Sequence, residues 1–205
     1  MAKRKLLVFV GVFLVVVLVA APASASPVVG WEWGTTNLSH TSNAGSLSAG
    51  LAFNIIGAPF AVASLGFFDY QDNDLTESHA VGIWGPDGNL LTSATVVPGD
   101  PLEGHFRWHA TSPVVLAVAD GYRIATVTGT ETYTWTPDGF LTDSRVVFVR
   151  SAYTYSGGLV YPPLADGNIG YFGPNMAGPV PVPSTVWLLG SGLLGLVGWR
   201  KKFRK

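Results

Sequence analysis

Short runs of apolar and β-branched residues alternate with turn residues through most of the chain, from about residue 31 to residue 172. Four Asp-Gly dipeptides mark turns between these runs. No stretch of this part keeps an apolar period of 3.6 residues, whereas residues 130–135 alternate at period two. The pattern predicts β-strands over 47–56, 60–68, 80–84, 90–97, 105–110, 114–119, 122–128, 131–136 and 144–155.

Many short strands separated by frequent turns predict an all-β body. We expect an antiparallel β-sandwich of the jelly-roll or Greek-key type, because turns recur roughly every 8–12 residues. A body of about 150 residues is long enough for a core between two sheets. Residues 157–183 are rich in Gly, Pro and Tyr, and we expect them to lie as irregular coil over the sandwich before becoming a linker.

The first 25 residues have the three parts of a secretory signal peptide. Basic residues at positions 3–5 precede an apolar run over 6–20, and small residues follow it. Two overlapping A-x-A sites are present, and we expect signal peptidase to cleave after the second, at Ala25. An uncleaved membrane anchor is the alternative. The segment is not counted as part of the fold in either case.

The C-terminal end also combines an apolar run with basic residues. The run covers 186–199, and as a helix it would be roughly 21 Å long, against ~30 Å for a hydrocarbon core. We expect a thin transmembrane helix over 184–205 whose basic residues reach the interface. A buried helix of a soluble domain is the alternative, but it does not explain the basic tail. The anchor and tail residues are Trp187, Trp199, Arg200, Lys201, Lys202, Arg204 and Lys205.

Charge is divided between the ends and the body. The whole chain has a net charge of −1, but residues 26–183 hold four Arg, no Lys and thirteen Asp or Glu, a formal charge of −9. The positive-inside rule predicts that both basic ends stay cytoplasmic and that the acidic body is exported. An acidic body is not expected to bind nucleic acid. The absence of cysteine excludes disulfides and cysteine-based sites.

Two close prolines precede the C-terminal apolar run. The motif consists of Val180, Pro181, Val182, Pro183, Ser184 and Thr185. With the short apolar span and basic end, it resembles the PEP-CTERM sorting signal of Gram-negative bacteria, whose commonest form has Glu where this chain has Val182. The resemblance implies recognition by an exosortase, cleavage near the motif, and delivery of the body to the cell exterior, often beside exopolysaccharide or biofilm. The prolines fit this because they keep the segment extended.

A second resemblance lies in the body, over about residues 52–128. Its motifs are similar to those of a β-sandwich domain that recurs in PEP-CTERM proteins, with a departure at Arg123, where that domain usually has an apolar residue. No enzymatic activity is associated with that domain. The matching stretches are 65–69, 78–84, 88–91, 106–108, 122–124 and 171–175.

The loop 69–77 is the densest cluster of acidic side chains. Asp72, Asp74 and Glu77 are candidate ligands for Ca²⁺, which prefers six to eight oxygen ligands. The spacing is not that of an EF-hand, and a solvated loop is the alternative. We expect the neighbouring His79 to bond to this loop.

Trp31 and Trp33 would share one face if their segment were a strand. Exposed indole rings there could stack on sugar rings, which present apolar C–H faces. Packing in the core is the alternative interpretation. His105 and His109 lie four residues apart on a predicted strand, about 13 Å, which is too far for one metal ion, so we interpret them as half-buried strand histidines.

No serine-elbow, phosphate-loop or dinucleotide motif is present. A pair of glycosidase carboxylates drawn from Glu32, Glu77, Glu103 and Glu131 remains an alternative, although no spacing marks such a pair. We therefore predict no enzymatic activity and assign no catalytic residue.

The sequence predicts a signal peptide over 1–25, a β-sandwich body over 26–173, a linker with the sorting motif over 174–183, and a transmembrane helix with a basic tail over 184–205. The predicted function is that of an exported surface or extracellular-matrix protein associated with exopolysaccharide. Its expected partners are signal peptidase, exosortase, the inner membrane and extracellular polysaccharide. A carbohydrate-binding module, with or without Ca²⁺, is the alternative, and a polysaccharide-active enzyme is a third.

Overall fold

The computed structural model describes residues 27–34, 38, 41–42, 45–135, 137–165, 167 and 170–179. They all belong to one compact unit, Ser26–Pro181. Apart from a 3₁₀ turn at Tyr70–Asp72, the regular structure of these residues consists of antiparallel strands. The strands are β1 (Trp31–Trp33), β2 (Thr41–Ser42), β3 (Ser48–Ile55), β4 (Phe60–Phe68), β5 (His79–Trp84), β6 (Leu90–Val96), β7 (Leu102–Glu103), β8 (Phe106–Leu116), β9 (Ala119–Val127), β10 (Tyr133–Thr134), β11 (Phe140–Thr142), β12 (Val146–Thr154) and β13 (Pro174–Ala177).

Two larger sheets make up most of this unit. One has the strand order β12-β3-β9-β5-β6 and the other has the order β13-β4-β8-β7. The chain changes from one of these sheets to the other five times, after β3, β4, β6, β8 and β12, so most neighbouring strands are distant in sequence. Short pairs form between β1 and β11 and between β2 and β10. The prediction of an all-β antiparallel body is confirmed for the described part of the chain.

Both larger sheets contribute side chains to one apolar core. Leu51 and Phe53 of β3 and Ile83 of β5 come from the five-stranded sheet, and Leu65 and Phe67 of β4 come from the four-stranded sheet. Each of these side chains is fully buried. Because burial of apolar surface is the main favourable term in folding, this shared core stabilises both sheets.

β8 differs from its prediction at Pro113. The sequence predicted one strand before this proline and another after it, but the structure has a single strand through it. The register along β4 jumps from the pair Ser64–Ala110 to the pair Val62–Val114, so Pro113 lies in a bulge. A bulge tolerates proline because its residues are left out of the ladder, and the missing N–H then breaks no inter-strand bond.

Part of the Gly- and Pro-rich stretch crosses the five-stranded sheet as coil, as predicted. The Ser48 hydroxyl donates to the Val160 carbonyl at 2.7 Å. The ring of Tyr161 contacts that of Trp84 at a centroid distance of 6.3 Å, and the Arg123 guanidinium lies over the Tyr161 ring. These contacts bury Trp84, which is 5% exposed.

Pro174–Ala177, predicted as the beginning of the linker, instead forms β13. This strand pairs with β4, and Asn175 and Met176 are fully buried. Four residues are too short to show a strand period, so the pairing depends on β4 and not on a local pattern. The folded body therefore extends past residue 173.

Within the described ranges, no helix is long and apolar enough to cross a membrane. The predicted signal peptide, the sorting-motif residues from Val180 to Thr185 and the predicted transmembrane helix with its basic tail lie outside the described residues.

Candidate functional site

The beginning and the end of the folded body lie side by side. The N–H of Gly178 donates to the carbonyl of Val28 at 2.8 Å, and the N–H of Gly30 donates to the carbonyl of Met176 at 2.7 Å. Between these two bonds the segments form an antiparallel bridge. Because β13 also pairs with β4 on its other side, the segment that leads to the predicted sorting motif is hydrogen-bonded along both edges.

Buried contacts fix β13 in place. The amide Nδ2 of Asn175 donates to the carbonyl of Trp31 at 2.8 Å, and its Oδ1 accepts the N–H of Met176 at 2.8 Å. Ala177 is buried, whereas Pro179 is exposed. The chain therefore passes from a buried strand to an exposed residue within two positions.

A cavity of about 550 Å³ lies beside these chain ends. Pro27 and Pro179 both line it, together with Asp100 and His109. The imidazole Nδ1 of His109 lies 3.0 Å from Oδ2 of Asp100, and the same oxygen accepts the N–H of Val97 at 2.8 Å. The carboxylate thus holds the imidazole in one orientation at the cavity wall.

The acidic loop is organised around Asp69 and not around the three candidate ligands. The Asp69 carboxylate is 1% exposed, accepts the N–H groups of Asn73 and Asp74, and lies 2.7 Å from Nε of Arg107. Asp74 accepts the N–H of Gly99 at 3.0 Å, and this bond is the main reason why the pKa of Asp74 is lowered.

The remaining two candidate ligands have other partners. Asp72 lies 4.0 Å from Nδ1 of His105, and Glu77 bonds to Thr130. Among the residues that the structure describes, no group of three or more His, Cys, Asp or Glu side chains could hold a metal ion. The Ca²⁺ assignment to Asp72, Asp74 and Glu77 therefore stays a prediction without a formed site.

Two threonine–glutamate pairs form a reciprocal set of bonds that we name the Thr–Glu clamp (Thr76, Glu77, Thr130 and Glu131). Glu77 accepts the backbone N–H of Thr130 and its hydroxyl, the latter at 2.7 Å. Glu131 accepts the N–H of Thr76 and its hydroxyl, the latter at 2.6 Å. The clamp joins the loop before β5 to the turn after β9, and its bonds lower the pKa of Glu77.

Gly129 makes room for the clamp. Its φ is +55°, in the left-handed region that favours glycine, and a Cβ at this position would collide with the Glu77 carboxylate. Sequence reasoning missed the clamp, although the Thr-Glu dipeptide occurs at both 76–77 and 130–131. That repetition is a signal, but only the fold brings the two copies together.

His79 packs inside the body and does not bond to the acidic loop as the sequence suggested. Its ring stacks on that of Phe67 with centroids 3.7 Å apart and planes 5° apart. Nδ1 lies 2.9 Å from the carbonyl of Val127, and Nε2 is buried with no hydrogen-bond partner. Burial lowers the pKa of His79, because the charged form would lose its hydration.

Trp31 and Trp33 are 1% and 5% exposed, so neither ring offers a face to a sugar. Trp33 lies within 6 Å of the rings of Phe68, Phe106 and Phe172. This position corrects the glycan-stacking hypothesis for these two residues. The core-packing alternative is the one that the structure supports, since the short strand β1 lays both side chains against the aromatic core.

Comparison with known proteins identifies the C-terminal end of the chain. A family model described as the PEP-CTERM protein-sorting motif matches residues 179–205, and it begins at the exposed residue that follows the last hydrogen-bonded position of the body. No curated protein and no solved structure matches the chain. The motif implies that an exosortase recognises the chain during sorting and that the chain is exported by way of the membrane. The predicted sorting motif is confirmed: the chain carries a PEP-CTERM protein-sorting motif at its C-terminal end.

Proposed function

We propose that this protein is a non-enzymatic component of the cell surface or extracellular matrix, associated with exopolysaccharide after exosortase sorting. The pairing of residues 28–30 with 176–178 carries the proposal. Because both ends leave the body at one edge, the body can be held beside a membrane by both ends and released by two cuts without unfolding. Before release, both basic ends lie on the cytoplasmic side and the acidic body lies outside.

The pattern of burial supports cleavage that leaves the body intact. β13 is buried and paired with β4, and Pro179 is exposed. A protease needs an extended and accessible substrate, so cleavage within the motif, beyond residue 179, spares every hydrogen bond of β13. The released body then keeps the shared core.

The contacts of the acidic residues support a role without catalysis. Two of the candidate glycosidase carboxylates, Glu77 and Glu131, accept backbone N–H and hydroxyl groups in the Thr–Glu clamp. The buried Asp69 is paired with Arg107. These carboxylates fix loops in place, and loop fixation alone accounts for their contacts.

We propose that the two larger sheets form the predicted β-sandwich. The core that draws Phe53 from one sheet and Phe67 from the other supports this arrangement. A two-sheet core of this size buries enough apolar surface for the released body to stay folded outside the cell. Its acidic charge keeps the body soluble there.

A carbohydrate-binding module is the second candidate, and one observation favours it. Tyr155 is 78% exposed, and it lies in a segment, 151–165, that contains no Asp, Glu, Lys or Arg. An exposed phenol ring in a segment without charged residues suits a sugar, because sugars combine apolar C–H faces with hydroxyl groups.

Location in the matrix tests the main proposal. The full chain is expressed in an exosortase-containing strain that makes exopolysaccharide and in the same strain without polysaccharide synthesis, and the body is measured by immunoblot in matrix, membrane and medium. We expect the body in the matrix of the first strain and in the medium of the second. A Pro181→Ala/Pro183→Ala variant should stay in the membrane fraction of both. An equal distribution of the unaltered body in the two strains would contradict an association with exopolysaccharide.

A further inference from the structure

We propose that Tyr155, together with Tyr153 and Tyr171, forms a binding site for a neutral polysaccharide chain. The inference rests on the carbohydrate-binding candidate above and gives that function a place on the molecule. The ring of Tyr155 lies 5.6 Å from that of Tyr153, which lies 5.6 Å from that of Tyr171. These three rings, which we name the tyrosine row, run from an exposed position toward the interior, where Tyr171 contacts the buried Tyr133 at 5.8 Å.

The rings of the tyrosine row meet at steep angles. The planes of Tyr153 and Tyr155 are 87° apart, and those of Tyr153 and Tyr171 are 67° apart. Two perpendicular rings form a corner and not a flat platform. A corner can hold the C–H face of one sugar against one ring and the edge of the same sugar against the other. This shape favours a single soluble glycan chain over a flat crystalline surface.

The backbone holds the row in place before any ligand arrives. Tyr153 belongs to β12, where it pairs with Ala49 of β3. On its other side, Tyr153 and Leu164 exchange two backbone hydrogen bonds of 3.0 Å each. Tyr155 follows the end of β12 directly. The backbone of Tyr153 therefore loses little conformational freedom on binding, which favours affinity.

The composition of the segment that carries Tyr153 and Tyr155 favours one class of ligand. Residues 151–165 include no charged side chain, whereas the body from 26 to 183 has a formal charge of −9. An anionic polysaccharide would be repelled by the body, and a cationic one would find no carboxylate in this segment. A neutral polysaccharide needs only ring faces and hydroxyl partners, and tyrosine supplies both.

In this proposal Tyr155, and not Trp31 or Trp33 as the sequence suggested, supplies the ring that stacks on a sugar. Those two rings are buried, whereas Tyr155 is 78% exposed. The exposed aromatic side chain directly after β12 is therefore a tyrosine.

Binding by the full chain tests the proposal. The chain is solubilised in a zwitterionic detergent without a sugar headgroup, and its affinity is measured by microscale thermophoresis for hydroxyethylcellulose, galactomannan and dextran, with alginate as the anionic probe. We expect binding to at least one neutral probe and weaker binding to alginate. Tyr155→Ala should weaken the binding about three- to tenfold, and Tyr155→Phe should keep it within about twofold, because the ring remains.

The matched control is Leu141→Ala, since Leu141 is also apolar and 61% exposed but lies in β11. It should bind as the unaltered chain does. If Tyr155→Ala bound a neutral probe as tightly as the unaltered chain, the assignment of the binding site to the tyrosine row would be wrong, although carbohydrate binding by the protein would stand. If the unaltered chain bound none of the neutral probes, the site and the carbohydrate-binding function would both be wrong. Equal affinity for alginate would overturn the assignment to neutral chains.

Discussion

The N–H of Gly178 donates to the carbonyl of Val28 at 2.8 Å, although the two residues lie 150 positions apart in the sequence. The PEP-CTERM motif begins at residue 179, the next position along the chain. Among the residues that the structure describes, the last backbone bond at the C-terminal end of the body and the first residue of the sorting signal are therefore adjacent. A sorting enzyme can act beyond residue 179 without breaking any of these described bonds.

Cysteines at the bridge between the two ends should form a disulfide. Val29 and Ala177 are directly opposite each other and form a non-hydrogen-bonded pair, because the flanking residues make the two backbone hydrogen bonds of the bridge. The Cα atoms of such a pair are about 4.5 Å apart. This separation falls within the range for disulfides. The chain has no other cysteine to compete. After mild oxidation, the Val29→Cys/Ala177→Cys variant should lose both free thiols within one chain, as measured by thiol titration and intact mass, and each single variant should keep its thiol. Free thiols that persist in the double variant would contradict the pairing.

Loss of the Glu77 carboxylate should destabilise the body at neutral pH. Glu77→Ala removes the acceptor of the Thr130 N–H and hydroxyl, and we expect the free energy of unfolding to fall by about 0.5–1.5 kcal/mol. Urea unfolding at pH 7 measures it, with the exposed Glu103→Ala as the control. The folded pKa of Glu77 is below its ordinary value of 4.5, so its contribution is complete above pH 4.5 and disappears as the pH falls through the folded pKa. The difference between Glu77→Ala and the unaltered protein should shrink below pH 4.5, and a difference independent of pH would refute the role of this carboxylate.

His79 should make the protein less stable in mild acid. The folded pKa of His79 is lower than its ordinary value of 6.5, because burial penalises the charged ring. Below pH 6.5 the unfolded chain takes up a proton that the folded body binds more weakly, so the free energy of unfolding decreases as the pH falls from 6.5 toward the folded pKa. The nearby carboxylates of Glu77 and Glu131 act in the opposite direction and raise the pKa of His79, but burial has the larger effect.

The His79→Phe variant isolates this effect. Phenylalanine keeps a ring against Phe67 but loses the bond to the Val127 carbonyl, so we expect it to be less stable at pH 7.5 by about 1 kcal/mol. Between pH 6.5 and pH 5 its stability should depend less on pH than that of the unaltered protein. Thermal unfolding across this range measures both, and two parallel pH profiles would show that His79 does not titrate with folding.

Asp69 should be the most sensitive acidic position of the loop. Its carboxylate is 1% exposed and pairs with the Arg107 guanidinium at 2.7 Å. Removing one partner of a buried pair costs about 3–5 kcal/mol when the other charge is left uncompensated. Oδ1 of Asp74 also lies 3.5 Å from Nε of Arg107 and compensates part of its charge. Asp69→Ala should therefore lower the free energy of unfolding by up to about 3–5 kcal/mol, and the exposed Asp138→Ala should change it by less than about 0.5 kcal/mol. A similar small effect for both variants would mean that Asp69 does not organise the loop.

The sequence predicted best where one strand shows a strong local pattern. β4 begins and ends at the predicted residues, 60 and 68, and β3 lies within its predicted run. These segments carry alternating or continuous apolar residues bounded by turn residues. Turn and strand chemistry of this kind is local, so it can be read without knowledge of the fold.

Features that depend on distant partners could not be predicted in this way. β1, β11 and β13 have three or four residues each, and each depends on a partner strand far along the chain. The Thr–Glu clamp and the pairing of Val28 with Gly178 have the same origin. In the candidate site, the sorting signal was predictable because its parts are contiguous, whereas the burial of Trp31 and the exposure of Tyr155 follow from the tertiary packing.

The intact mass of the exported body tests sorting by an exosortase. The full chain is produced with and without an exosortase that reads this motif, and the mature protein is analysed by intact mass and C-terminal peptide mapping. With the exosortase, we predict a C-terminus within or just after residues 180–185 and a body that retains β13. The Pro181→Ala/Pro183→Ala control should not be processed. A mature protein that still ends at Lys205 in the presence of the exosortase would show that the motif does not direct cleavage.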